Sequence, residues 1–299
     1  MFRVTTGATL LLACSSVLAA EPAPEAQPTQ EQTQATASGA DAPAQGTSPA
    51  LAEKKREWVF QFDPNAWYAG ISGSVRIRGT PPSAGAAKIN DMNLDQPQLT
   101  PAGELSVRVE KWRFGLGTFF FNQNRLQTMA TSGQEGAVIY TPGQQLSSKM
   151  SWNEYEPQVG YEIWRRDPQP EDAVQFLPRL ELFGAARLDD MKFSFSQGAV
   201  SDSQSQFFAQ AIAGVNFSMD IAEQFSINLE TSAGGWPGGS QYAWSWDITV
   251  GFKWRPIPNV GVLVGYRNMV GQYQDGTGNE QFSYRGGIAG IFFGATIRF

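Results

Sequence analysis

No histidine occurs among the 299 residues, and cysteine occurs once, at Cys14. The first absence removes Ser-His and Cys-His nucleophiles, imidazole acid/base work and His-ligated metals, and with them most hydrolase mechanisms. Long hydrophobic runs are also missing. A membrane helix needs about 20 consecutive apolar residues, and beyond residue 20 no apolar run exceeds a few residues, so no helix is expected to span a bilayer. Charge is sparse, at 17% of residues with a net of -6. No dense Lys/Arg stripe offers to hold a phosphate backbone, so nucleic acid is not an expected partner.

What is present begins with an address. Residues 1–20 carry an early positive charge at Arg3, an apolar stretch centred on Leu10, Leu11, Leu12 and Ala13, and small residues before Glu21. That is the layout of a secretory signal peptide, cleaved at or near Ala20. Leu11-Leu12-Ala13-Cys14 also resembles a lipobox, in which Cys14 would be acylated, although the apolar region before it is short. If cleavage is at Ala20, the only cysteine leaves with the signal and no disulfide can form. Residues 21–55 are rich in Ala, Pro, Gln, Thr and Glu and have no aromatic residue. Such a segment cannot bury enough apolar surface to offset its ordering entropy, so a disordered periplasmic tether of roughly 30 Å reach is expected. Lys54-Lys55-Arg56 closes it, as a contact for anionic head groups or as an ordinary solvated junction.

Residues 56–299 alternate. Tyr242, Trp244, Trp246, Ile248, Val250, Phe252 and Trp254 occupy one parity, and Ala243, Ser245, Asp247, Thr249, Gly251, Lys253 and Arg255 the other. Successive strand side chains point to opposite faces, so one face is wholly apolar, with aromatics at both ends as in a membrane-spanning strand. Leu105, Val107 and Val109 oppose Glu104, Ser106, Arg108 and Glu110; Phe225, Ile227 and Leu229 oppose Ser226, Asn228 and Glu230. Val159, Tyr161 and Ile163 oppose Glu154, Glu156 and Gln158, and Phe207 through Phe217 oppose Gln210, Gly214 and Asn216. By the same rule, Trp67, Ala69, Ile71, Gly73, Val75 and Ile77 are expected to face lipid, opposite Tyr68, Ser72, Ser74, Arg76 and Arg78.

A soluble β-sandwich would turn Lys and Glu to water on its polar face. Here that face is rich in Gly, Ser and Asn, which suits a crowded barrel lumen. The expected fold is therefore all-β, a transmembrane antiparallel up-and-down barrel of about ten strands, with eight as the alternative. Strands are placed at 67–78, 104–110, 113–122, 151–164, 179–191, 207–219, 225–233, 242–255, 260–268 and 284–299. Connections at 110–113, 220–224 and 256–259 read as tight and those at 79–103, 123–149 and 194–206 as long and polar, which puts short turns in the periplasm and long loops outside. Trp58, Phe60 and Phe62 form a leftover alternating piece before Pro64, lying at the inner interface or extending the first strand.

At the end of the chain Ala289, Ile291, Phe293, Ala295, Ile297 and Phe299 share one parity, and the last residue is aromatic. Here the sequence resembles bacterial outer-membrane β-barrel proteins. The resemblance implies that Phe293, Ile297 and Phe299 belong to a signal read by the barrel-assembly machinery. Gly234-Gly235-Trp236, the strand from Tyr242, and Val264-Gly265-Tyr266-Arg267 look like small barrels of the OmpA-like and OmpW-like kind. The likeness is good over about the last eighty residues and elsewhere holds only in pattern; it implies compartment and fold, with no assigned chemistry.

Candidate chemistry is thin. Proteases and lipid-modifying barrels of similar size depend on a histidine that this chain lacks. Glu154 and Glu156 sit about 6.5 to 7 Å apart on one strand face, near the spacing of an inverting glycosidase pair. The plainer expectation is a lumen charge network of Arg76, Arg108, Glu154, Glu156, Arg187, Glu230, Asp247, Arg267 and Arg285. Asp91, Asn93 and Asp95 imitate the start of a calcium loop, but Gln96 stands where Gly is required and Ala102 where Glu is required; no metal or other cofactor is expected. Arg187 and Arg267 could instead set pore selectivity. The expected role is a filled-lumen structural or surface-interaction barrel, with outer-membrane lipid, the assembly machinery and an extracellular ligand at the loops as partners. The alternatives are a narrow channel for small solutes or ions and, remotely, an enzyme.

Overall fold

The computed structural model describes residues 58–168, 176–221 and 224–299. The expected signal peptide, Cys14, the tether and Lys54-Lys55-Arg56 lie outside the described residues. Ten long strands follow one another: β1 Trp58–Arg76, β2 Gln98–Val109, β3 Trp112–Thr128, β4 Gln145–Arg165, β5 Phe176–Gln197, β6 Val200–Ile221, β7 Phe225–Gly238, β8 Gln241–Ile257, β9 Val260–Asp275 and β10 Phe282–Arg298. Each pairs antiparallel with its neighbour in sequence, and β10 returns to β1 in a register running from Gln61↔Arg298 to Arg76↔Ser283. The ring is closed. The fold is a ten-stranded, transmembrane up-and-down β-barrel with no open sheet edge, which is what a strand-built membrane protein requires.

The alternation read in β8 holds side chain by side chain. Tyr242, Trp244, Trp246, Val250, Phe252 and Trp254 are exposed on the outer wall, whereas Ala243, Ser245 and Asp247 are buried within. Leu105 and Val109, Val159 and Tyr161, Leu229, and Ile291 and Phe293 continue the apolar outer surface on their own strands. Large apolar groups kept on the outside are stable only where lipid replaces water.

β1 departs from the expected parity. Trp67, Ala69, Ile71, Val75 and Ile77 are buried in the lumen, and Tyr68 faces out. The inversion arises because this part of the lumen is itself apolar, so hydrophobicity no longer separates inside from outside. Trp58, Phe60 and Phe62 extend β1 and do not form a separate interfacial piece. Pro64 interrupts a ladder bond but not the register, which is the same at Phe62↔Ile297 and Asn65↔Gly294.

The connections also differ from expectation. Residues 194–206 are no loop: β5 and β6 run through them to a two-residue turn at Gly198 and Ala199, where Gly198 takes a φ of 58°. Their outward Ser194, Ser196, Ser201, Ser203 and Ser205 lie beyond Leu188 and Phe207, past the apolar belt, where strand polarity follows water. At the same end Gly239 and Ser240 make another tight turn, so long and short connections are only partly segregated. The long loops that remain are shorter than expected, 77–97 and 129–144, because β2, β3 and β4 extend into them. Both fold back over the barrel mouth, the second through a hairpin of Gly133–Glu135 and Val138–Tyr140.

Candidate functional site

The lumen is layered, and the layers follow from which strand residues point inward. Nearest the long loops it is apolar. Trp152 on β4 makes edge contacts with Phe119 (5.6 Å), Tyr273 (5.8 Å) and Tyr284 (5.7 Å), while its indole Nε1 donates to Asp189 at 2.8 Å. Phe208 packs on Tyr273 at 5.3 Å and Phe193 on Tyr284 at 5.8 Å. The edge-to-face pairs among these, all but Phe193–Tyr284, contribute about 0.5 to 1.5 kcal/mol each beyond the area they bury. Loop residues Ile89, Met92, Leu94, Val138 and Tyr140 join the same buried cluster from above. The outer half of the barrel is thus filled from wall to wall.

Arg267 joins this apolar layer to the charged one beneath. Its guanidinium lies over the rings of Trp67 (5.4 Å) and Phe119 (5.7 Å) and donates to Asp247 (2.7 Å) and Glu154 (3.0 Å). Arg187, fully buried, donates to Glu156 at 2.6 Å and to Ser245 at 2.9 Å, and lies 3.4 Å from Glu154 and 3.6 Å from Asp247. Lower still, Arg113 holds Glu181 and Glu104, and Arg108 reaches Glu181 at 2.8 Å. Glu230 accepts from Asn216 at 2.7 Å and stands 3.8 Å from Arg113. A cavity of about 140 Å³ opens among Asp63, Glu104, Glu154, Lys253 and Arg267, with Trp67, Leu263 and Phe292 also in its lining.

Seven of the expected network residues therefore gather in the lumen: Arg108, Glu154, Glu156, Arg187, Glu230, Asp247 and Arg267. Two do not. Arg76 bonds the Thr80 carbonyl at 2.9 Å near the loop end, displaced by the inverted parity of β1. Arg285 is exposed, because its neighbour Tyr284 takes the inward position. Arg113, Glu181, Asp189, Asp63 and Lys253 belong to the network and were missed; Arg113 and Glu181 sit near strand ends, where alternation is hardest to phase, yet both share the parity of other inward charges. Glu154 and Glu156 both lie against the Arg187 guanidinium, at 3.4 and 2.6 Å, which compensates their charge. Asp91, Asn93 and Asp95 flank the buried Met92 and Leu94 in a tight turn, so their alternation is that of a loop pressed on the barrel mouth. Among the described residues no cluster of three potential metal-ligating side chains occurs.

No protein-family model and no curated protein matches the chain. Among solved structures it is similar to Neisserial surface protein A, at 14% identity over 80% of this chain and 97% of that one, with a TM-score of 0.33. It is also similar to the Pseudomonas putida toluene transporter TodX, at 9% identity, 80% and 90% coverage and a TM-score of 0.27. A Pseudomonas aeruginosa FadL homologue gives 10%, 82%, 90% and 0.27. All three scores lie below 0.5, and the function proposed below rests on this chain's own geometry.

Proposed function

We propose that this chain is an integral outer-membrane barrel of the small OmpA-like or OmpW-like kind, closed to solutes, which acts as a structural or surface-interaction protein through its loop end. The observation that carries the reading is the apolar layer. Trp67, Phe119, Phe121, Trp152, Phe193, Phe208, Tyr273, Phe282 and Tyr284 are all buried in one continuous cluster that extends from the loop end down to Trp67, and ions do not cross a dry plug of that kind. Its partners are outer-membrane lipid around the apolar wall, the barrel-assembly machinery at Phe293, Ile297 and Phe299, and an extracellular ligand at the loops. No enzymatic role is assigned, since every lumen carboxylate that could act as an acid or base is held in a charge pair or by neutral hydrogen-bond donors.

A narrow channel is the second reading, favoured by the cavity with charged lining residues beneath the apolar layer. Planar-bilayer recording of the refolded protein separates the two. Closure predicts no steady unit conductance in the wild type; stable, ion-selective steps would establish the channel instead.

A further inference from the structure

The end of the barrel where β1 starts and β10 stops carries a second cavity, polar and of about 120 Å³, whose lining is dominated by cations: Arg108, Arg113, Arg179, Arg255, Arg298 and Lys253. Three of these six charges are paired through hydrogen bonds with carboxylates other than Asp220. Arg113 has Glu104 and Glu181, Arg108 has Glu181, and Lys253 has Asp63. The three at the rim are different. Arg179 and Arg255 share one carboxylate, Asp220, at 3.3 and 3.2 Å. The Arg298 side chain forms no ion pair or hydrogen bond among the described residues, and it feels the positive charge of Arg255, Arg179 and Arg108 as well as the negative charge of Asp220.

Like charges are held together here at a cost, and spare donors remain. Arg108 Nη1, Arg179 Nε and Arg255 Nε are buried without an acceptor. Glu162 lies 3.8 Å from the first and 3.9 Å from the second, too far to accept a hydrogen bond. Buried donors without partners are rare in folded proteins and call for a ligand or water. Asp220 is already fully engaged, because Ser226 also donates to it at 2.6 Å.

From this geometry we propose that the rim of the lumen, at Arg179, Arg255 and Arg298, is a binding site for a phosphate- or carboxylate-bearing group. Guanidinium N–H donors match the paired oxygens of such anions and hold them bidentately. The three arginines lie on the inner wall. Beside Arg298 the outer wall shows Val260 and Val262, both exposed and apolar, so the anion reaches the site through the lumen mouth. The site does not depend on whether the lumen conducts, which the bilayer recording reads separately.

The test is calorimetric titration of the refolded full chain, in non-ionic maltoside micelles at fixed chloride, with inorganic pyrophosphate as probe. Saturable one-to-one binding is expected, weakened about tenfold in Arg298→Gln, the loss of one charged hydrogen-bonding group. Arg298→Gln gives up no existing ion pair, so it should fold normally, which heat-modifiable gel migration verifies. Arg285→Gln, on the outer wall, should bind like the wild type. Absence of saturable heat, equal affinity in Arg298→Gln, or an equal loss in Arg285→Gln would each overturn the site. Competition by micellar phosphatidylglycerol would identify the anion as a lipid headgroup, and failure to compete would identify it as a soluble solute.

Discussion

Phe60 and Phe299 exchange two backbone hydrogen bonds, of 3.2 and 2.9 Å, and their rings lie 6.0 Å apart. The last residue of the chain thereby closes the final rung between β10 and β1. Deleting Phe299 removes both bonds and the ring contact, a loss of about 2 kcal/mol at roughly 1 kcal/mol per bond. Refolding into vesicles, followed by heat-modifiable migration, should slow severalfold. Phe299→Ala keeps both backbone bonds and should fall between deletion and wild type. A deletion variant that folds at the wild-type rate would remove the seam from the closing step.

The outer wall sets a sharper expectation. Val250 is exposed on β8 opposite Leu229, which is exposed on β7, while its neighbour Thr249 lines the lumen cavity beside Arg267. Val250→Arg places a charge in lipid and should cost about 2 to 4 kcal/mol, whereas Thr249→Arg turns into the lumen and should cost less. Equal losses in urea-unfolding titrations of the two variants would contradict the assignment of inside and outside.

The charged layer should behave as a network. Arg187 compensates Glu154, Glu156 and Asp247, so Arg187→Met leaves the buried Glu156 unpaired, with Glu154 and Asp247 sharing Arg267 alone, and should destabilise by about 3 to 5 kcal/mol. Adding Glu156→Gln should recover part of that loss, a coupling that a double-mutant cycle reads directly. Arg285→Met, on the exposed wall, should change stability by about 0.5 kcal/mol or less. Additive effects of Arg187→Met and Glu156→Gln would show that the two residues do not act as a pair.

Where the lumen is charged, the sequence was easy to phase. Glu230 and Asp247 each oppose an apolar parity, and both face inward as expected, as does Arg187. Where the lumen is aromatic, phase is lost: in Phe119-Phe120-Phe121 the outer two rings are buried and the middle one is exposed, and hydrophobicity alone cannot order them. The same ambiguity inverted β1 at Trp67, Ala69 and Ile71. The serines of 194–206 misled for a different reason. Alternation there is between water and an apolar interior, and the inward Phe193 and Phe195 were the signal, diluted by polar residues that suggest a loop. Arg298 was invisible as a site residue because an unpaired charge is a property of its neighbours in space.

The last prediction concerns the loops over the mouth. Glu135, in the hairpin between β3 and β4, is buried and accepts from Ile77 N (3.4 Å), Thr80 Oγ1 (3.3 Å) and Ala87 N (3.2 Å), tying that hairpin to the β1–β2 loop. Arg76 also faces it, and Tyr140 feels its charge together with that of Asp91. A second tie runs from Ala137 N to Asp202 at 2.8 Å. Burial pushes the Glu135 carboxyl up from the ordinary 4.5 to about 7, against the opposing pull of its hydrogen bonds and Arg76. Because the folded value lies above the unfolded one, the neutral acid favours the closed cap. That contribution is complete below about 4.5, is lost as pH rises through about 7, and is absent above. The difference is on the order of 3 kcal/mol. Hydrogen exchange at the Ile77 and Ala87 amides should therefore be slower, after correction for intrinsic rates, at about pH 5 than at about pH 8.5, while barrel strands such as β8 show no such change. Glu135→Gln should make the loop protection independent of pH, since a neutral amide of the same shape cannot ionise. Protection that rises with pH in the wild type, or a pH dependence that survives in Glu135→Gln, would place the control of the cap in some other group, of which Asp202 is the nearest to test.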